Sequence, residues 1–246
     1  MSKKYSERER SIAGSMKKTI GLAVCFLLFT LGGCALMETK NSRPYIEKQV
    51  SNVEKVYPTE NVYDLFDTFP SGFQLVYDKL SDKEGYRYSE SVELFGDSSK
   101  KYLSGKYERS RKELASSIEE VLDTFSVEYT KDGLIRSDTK EKIAFPKEGF
   151  LFQNLTLDKS VLASQTVNNY SYNVNTESYF IRYSPFTYPQ SNMRDETILM
   201  IMGDEPYDKH GFSRSVSLDD GNAVIIERID EYSVLKNIPL WEKENE

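Results

Sequence analysis

The sequence contains little sulfur and almost no histidine. Among its 246 residues are two cysteines, one histidine and one tryptophan. Zinc fingers and iron–sulfur clusters need several Cys or His ligands, and a disulfide scaffold needs several pairs of thiols. These classes are therefore excluded. We expect no bound metal ion, and no cofactor, because a glycine-rich phosphate loop is also missing.

Long apolar segments are missing as well. The most apolar segment, Thr19–Leu31, has 13 residues, whereas a membrane-spanning helix needs about 20. Hydrophobic residues make up 39% of the chain and charged residues 29%, with a mean hydropathy of −0.55. This is the composition of a soluble globular protein with one large domain or two small ones. Aromatic residues, at 13%, favour strands and a bulky core.

The first 33 residues have the pattern of an export signal. Lys17 and Lys18 precede the apolar segment, whose length is typical of a signal peptide. The next residues, Leu31-Gly32-Gly33-Cys34, resemble the bacterial lipobox. That resemblance implies cleavage after Gly33 and diacylglycerol on Cys34. We therefore expect a lipoprotein anchored to the extracytoplasmic face of the cell membrane.

These features predict the domain organisation. Residues 1–33 are the signal peptide. Residues 1–15 are either an extension of its N-terminal region or lie before the true start of translation at Met16. Residues 34–42 are the lipidated Cys and a polar tether, and residues 43–246 are a single globular domain. The alternative for the apolar segment is a short buried helix, which the polar residues soon after Cys34 disfavour.

The mature chain is strongly acidic. Residues 1–33 contain six of the 32 basic and two of the 39 acidic residues, which leaves 26 against 37 and a net charge of −11. Nucleic acid binding requires clusters of Lys and Arg, so nucleic acid is excluded as a partner. An anionic lipid surface repels such a chain. Membrane attachment then depends on the lipid, and other partners are a surface or host macromolecule.

Periodicity predicts an α+β domain. Residues at helical spacing from Ile46 to Tyr57 predict N-terminal helices. Ser110 and Glu113 form a capping box that predicts one further amphipathic helix to Phe125, with a stripe of Leu114, Ile118, Val121 and Leu122.

The other segments predict a mostly antiparallel sheet. Polar turns at 131–133 and 219–222 indicate hairpins. The predicted strands are Phe73–Leu80, Tyr86–Phe95, Phe150–Leu157, Tyr170–Tyr172, Tyr179–Tyr183, Ile198–Met202, Ser213–Leu218 and Ala223–Ile229.

Candidate catalytic groups are few. His210 lies in a predicted loop, and Ser98 to Lys101 fit an S-x-x-K pattern within a polar turn. Asp78, Asp82 and Glu84 lie near Gly85, but their spacing does not match a calcium loop. We predict that the chain is not an enzyme and has no catalytic residues.

One loop is a candidate ligand site. Two prolines stiffen the segment from Tyr183 to Pro189, which contains Phe186 and Tyr188. Rigid aromatic side chains bind at a low cost in entropy. The alternative is that both rings pack onto the core.

The segment Tyr57-Pro58-Thr59-Glu60-Asn61-Val62-Tyr63-Asp64-Leu65-Phe66-Asp67 resembles the tandem lipoproteins of staphylococci, the conserved staphylococcal antigen family. Val62 and Phe66 replace Leu and Tyr of the family pattern. The Lys83-Glu84-Gly85-Tyr86 segment comes later than in the family, after an insertion. The resemblance implies a surface-anchored, non-enzymatic lipoprotein of a Gram-positive cell with a mixed α+β domain.

Four functions are compatible with these observations. The first is a membrane-anchored surface lipoprotein with a non-catalytic binding or host-contact domain. The second is a solute-binding lipoprotein that serves a transporter, which predicts two α/β lobes. The third is a surface hydrolase that uses carboxylates or His210. The fourth is a pheromone-like peptide released from the signal, within Phe26–Gly33.

Overall fold

The computed structural model describes residues 39–116, 118–187 and 197–235. The chain divides into two compact units, residues 1–40 and 41–246. All the strands and helices of the described part belong to the second unit. The predicted signal peptide and the lipobox lie outside the described residues.

Antiparallel strands make up most of the described part. They are β1 (Phe73–Lys83), β2 (Tyr86–Asp97), β3 (Tyr102–Glu113), β4 (Glu119–Thr130), β5 (Gly133–Arg136), β6 (Val167–Asn173), β7 (Ser178–Tyr183), β8 (Ile198–Asp204), β9 (Ser213–Asp219) and β10 (Ala223–Glu231). These ten strands form one sheet in the order β5-β4-β3-β2-β1-β10-β9-β8-β7-β6. The first and last strands in sequence, β1 and β10, pair at its centre.

Short helices lie between the strands. They are α1 (Arg43–Val50), α2 (Leu65–Thr68), α3 (Leu151–Asn154), α4 (Lys159–Ser164), α5 (Glu205–Asp208) and α6 (Tyr232–Leu235), with 3₁₀ turns at Ser51–Lys55 and Val62–Asp64. The domain is therefore a mixed α+β structure in which the antiparallel sheet dominates. No helix in the described part is long and apolar enough to cross a membrane.

The two faces of the sheet differ in what covers them. On β7, Tyr179, Ile181 and Tyr183 are at most 2% exposed, while Phe180 and Arg182 are partly exposed, which is the alternation of a strand with one covered face. The first set packs with α1 and the segments 51–69 and 145–162 in one core cluster. We call this side the packed face and the opposite side the open face.

Several sequence predictions are confirmed. The strands at Phe73–Leu80 and Tyr86–Phe95 are present and longer than predicted. Both predicted hairpin turns are present, between β4 and β5 and between β9 and β10. Ile198–Met202 lies in β8, which is paired on both sides.

The amphipathic helix predicted from Ser110 to Phe125 is wrong. β3 continues to Glu113 and β4 begins at Glu119, so a hairpin takes its place. The Ser110 hydroxyl does not cap a helix but donates to the Glu119 carboxylate across the hairpin. β3 pairs with β2 along its whole length. This ladder outweighs a helical preference that amounts to only about 0.7 kcal/mol or less per ordinary residue.

The strand predicted at Phe150–Leu157 is also wrong. Residues 151–154 form α3, and an extended segment follows. Phe150, Leu151 and Phe152 are all at most 6% exposed. Three consecutive buried side chains do not fit a strand with one covered face, and a helical turn places them all against the core.

The tip of the β3–β4 hairpin is unusually apolar for a surface. Leu114, Ile118, Val121 and Leu122 are 37% to 77% exposed. Within the described residues β5 pairs only with Val127–Thr130, so the outer edge of β4 before that point has no partner strand. An exposed apolar edge of this kind is a site for pairing with another chain.

We predict that Val121→Lys reduces concentration-dependent self-association, because it places a charge beside the unpaired edge. Stability should change by no more than about 0.5 kcal/mol, since the side chain is 53% exposed. Light scattering over a concentration series and thermal melting measure the two quantities.

Val174→Lys is the matched control, because Val174 is equally apolar and 76% exposed but lies in the β6–β7 turn. Equal effects of the two substitutions would show that general charge, and not the β4 edge, governs association.

Candidate ligand site on the open face of the sheet

Of the site residues predicted from the sequence, the structure describes Phe186. Phe186 is 1% exposed and belongs to the core cluster, so its ring is not displayed to a ligand. This agrees with the alternative in which the ring packs onto the core. Outside the described residues lie Tyr188, Leu31, Gly32, Gly33 and Cys34.

The structure also describes the candidate catalytic and calcium-binding groups that the sequence analysis named. His210 is exposed in the turn after α5. The Ser98 hydroxyl donates to a backbone carbonyl at 3.3 Å, as expected for a polar turn. Arg87 donates to both oxygens of Asp82, at 2.8 and 3.0 Å. No group of three or more His, Cys, Asp or Glu in the described ranges is arranged to hold a metal ion.

A buried carboxyl group joins the sheet to the segments that cover it. Glu227 of β10 is 0% exposed. It accepts hydrogen bonds from the Tyr57 hydroxyl at 2.8 Å and from the backbone N–H groups of Leu151 and Phe152 at 2.7 and 2.9 Å. Burial raises the pKa of Glu227 to about 8, and these three donors oppose the rise. Glu227 therefore fixes two separate covering segments to one point of the packed face.

A buried arginine has a similar role nearby. Arg214 of β9 is 2% exposed and donates to the Asp208 carboxylate and, at 2.8 Å, to the carbonyl of Gln49. Tyr179 donates to the same carboxylate. A Cβ at Gly203 would lie 2.6 Å from the Tyr179 hydroxyl and 2.8 Å from Arg214. The glycine leaves the space that this network needs.

The open face has a recess of about 540 Å³ across five strands. One cross-strand row runs through it, since Val76 pairs with Arg228, Arg228 with Ser215, Ser215 with Met202 and Met202 with Phe180. The row is apolar at both ends and polar in the middle. The volume lies within the range of small-molecule pockets, about 300–1,000 Å³.

Charged groups of both signs line this recess. The Arg228 Nε donates to Asp230 at 2.7 Å, and the Ser213 hydroxyl donates to the same carboxylate at 2.5 Å. Asp230 is only 2% exposed and lies two residues from Arg228 on the same face of β10, where it fixes the Arg228 side chain. The Arg228 side chain itself is 41% exposed, and its guanidinium lies 5.5 Å from the Tyr207 ring centre.

Two carboxylates, Asp78 and Asp204, line the recess. Asp78 accepts a hydrogen bond from the Ser89 hydroxyl at 2.8 Å, whereas Asp204 has no such donor among the described residues. Its carboxylate makes no hydrogen bond or ion pair within the described part of the chain. Burial raises the pKa of Asp204, and Arg228 lowers it. A partly desolvated carboxylate without a donor is a strong acceptor for a ligand cation.

Sequence reasoning missed these residues, although a signal was present. Glu227 and Arg228 interrupt the predicted strand Ala223–Ile229, which is otherwise apolar, and Asp230 follows it directly. Asp204 lies two residues after the predicted apolar strand Ile198–Met202. Charges in a central strand need partners or a function. Charged residues in or next to apolar strands therefore indicate both the buried Glu227 and the recess.

No known family model matches this chain, and no curated protein does. Among solved structures, the crystal structure of MucB in complex with MucA(peri) is similar over 68% of this chain and 91% of that chain. The identity is 9% and the TM-score 0.13. At these values the likeness carries no argument about fold or function.

We predict that Glu227 makes stability depend on pH. Its folded pKa of about 8 lies above the reference value of 4.5, so the folded chain retains a proton that the unfolded chain releases. The free energy of unfolding therefore falls as pH rises through this interval. Thermal melting between pH 5 and 8 should show the decline in the wild type.

Glu227→Gln should remove that part of the pH dependence. Its mean stability should also fall by about 1–3 kcal/mol, because one of the three donors loses its acceptor. Glu54→Gln, at a partly exposed position, is the control. Parallel melting curves for wild type and Glu227→Gln would contradict the prediction.

Proposed function

We propose that this chain is a lipid-anchored, extracytoplasmic binding protein without catalytic activity, and that its ligand binds in the open-face recess. The recess carries the proposal because it combines apolar walls, a held guanidinium and an unpaired carboxylate in one accessible place. Ligand sites are typically apolar concavities with a few placed polar groups. The lipobox resemblance of Leu31–Cys34 supports the anchor.

The start of the domain gives the proposed tether a definite length. The Tyr172 N–H of β6 donates to the Asn41 side chain at 3.0 Å, so the chain is already held to the sheet at Asn41. Residues 35–40 remain as the tether, and six residues span at most about 22 Å.

The transporter-linked alternative predicts two α/β lobes. Residues 41–235 as described form one sheet with short covering helices. No observation in this part favours the alternative. The relation to the staphylococcal tandem lipoproteins remains part of the proposal and rests on the residues from Tyr57 to Asp67.

The anchor is tested by labelling cells with palmitate. Wild type should incorporate the label and fractionate with membranes, whereas Cys34→Ala should lose both properties, because the thiol that receives the lipid is gone. Cys25→Ala, within the apolar segment, is the matched control and should behave as wild type. Equal labelling of Cys34→Ala and wild type would overturn the anchor.

The recess is tested by thermal melting of the full lipidated chain in mild detergent against amino acids, peptides, sugars and metabolites. A ligand at 100-fold its Kd adds about 2.7 kcal/mol, which corresponds to roughly 5–10 °C for a domain of this size. Met202→Arg, which fills the recess, should abolish the shift. An absence of any shift, or a shift that Met202→Arg leaves intact, would overturn the recess as the ligand site.

A further inference from the structure

The chemistry of the recess narrows the class of ligand. Arg228 is held through its Nε by Asp230 and also interacts with the Tyr207 side chain, while its own side chain remains 41% exposed. A guanidinium presents paired donors that match a carboxylate. The Ser215 hydroxyl stands beside Arg228 in the same cross-strand row and adds a further donor.

Asp204 supplies the opposite charge. Asp204 and Arg228 both line the recess but do not form an ion pair with one another. Asp230 already pairs with Arg228, whereas Asp204 has no ion pair within the described residues, so Asp204 favours a ligand cation. The Arg228 guanidinium is 41% exposed, so it can still donate to a ligand carboxylate. A ligand that carries both charges satisfies both groups at once.

The walls require an apolar part as well. Val76 and Ile226 line one side of the recess and Met202 and Phe180 the other. All four are partly exposed, so an apolar group placed against them removes further surface from water. Each additional buried methylene contributes about 0.8 kcal/mol.

We propose that the recess binds a zwitterion with an apolar side chain, either a free apolar amino acid or a short peptide with both termini free. Arg228 and Ser215 bind its carboxylate, Asp204 binds its ammonium group, and the apolar walls hold its side chain. This inference rests on the proposed binding function of the recess and names the ligand of that site.

The test is isothermal titration of the full lipidated chain with leucyl-leucine, its N-acetyl derivative and its C-terminal amide. Each cap removes one charge of the ligand and should weaken binding at least tenfold, because a charge-assisted bond is replaced by a neutral contact. Free leucine, N-acetyl-leucine and leucinamide form a parallel series. If free leucine binds more tightly than leucyl-leucine, the ligand is an amino acid; if leucyl-leucine binds more tightly, the ligand is a peptide.

Two variants assign each terminus to its residue. In Arg228→Gln, capping the carboxylate should have no further effect, while capping the amine should still weaken binding. In Asp204→Asn the pattern should be reversed. Such cycles isolate a pairwise contact from general damage. Arg182→Gln is the matched control, since Arg182 lies on the open face of β7 but does not line the recess.

Two further measurements separate the loss of a charge from the loss of folding. Arg228→Lys retains a positive charge beside Asp230 and should keep part of the preference for the zwitterion. A thermal melt of each variant reports whether it folds. If capped and free forms bind equally and Met202→Arg abolishes both, the recess is a binding site but the zwitterion class is wrong. If Met202→Arg leaves peptide binding intact, the proposed site fails as well.

Discussion

The buried carboxyl group of Glu227 is the constraint on which the arrangement of this domain depends. The residues that cover the packed face come from two distant parts of the chain, residues 43–69 and 145–164. Tyr57 belongs to the first part, and Leu151 and Phe152 belong to the second. All three donate hydrogen bonds to the Glu227 side chain. Burying a carboxyl group is costly, so it persists only with several hydrogen-bond partners. A strand that carries Glu227 therefore requires both covering segments to be in place.

The alternation of β10 connects this anchor to the recess. Glu227 points into the packed face and Arg228, its neighbour, into the open face. Asp230 then holds the arginine from a position that is itself 2% exposed. Because β10 pairs with β1 and β9 on its two sides, its backbone is fixed in the middle of the sheet. A side chain on a central strand is positioned more firmly than one on a loop, which suits a recognition site.

The sequence predicted the sheet well where hydrophobic alternation and turn residues agreed, as at β7 and in the β9–β10 hairpin. It failed at Ser110–Phe125, because the stripe at helical spacing is exposed at a hairpin tip and pairing with β2 decides the conformation. The recess residues were missed for a different reason. Val76, Arg228, Ser215, Met202 and Phe180 lie far apart in sequence, and only the strand order brings them into one row.

The segment from Tyr57 to Asp67 has a packing role in this structure. Tyr57 binds Glu227, the Asn61 side chain accepts from the Tyr63 N–H at 3.0 Å, and Val62, Leu65 and Phe66 are buried. None of these residues lines the recess. This segment therefore covers the packed face and has no part in the recess. Under the proposed function, ligand preference depends on the open face, where Arg228 and Asp204 line the recess apart from the residues that close the core.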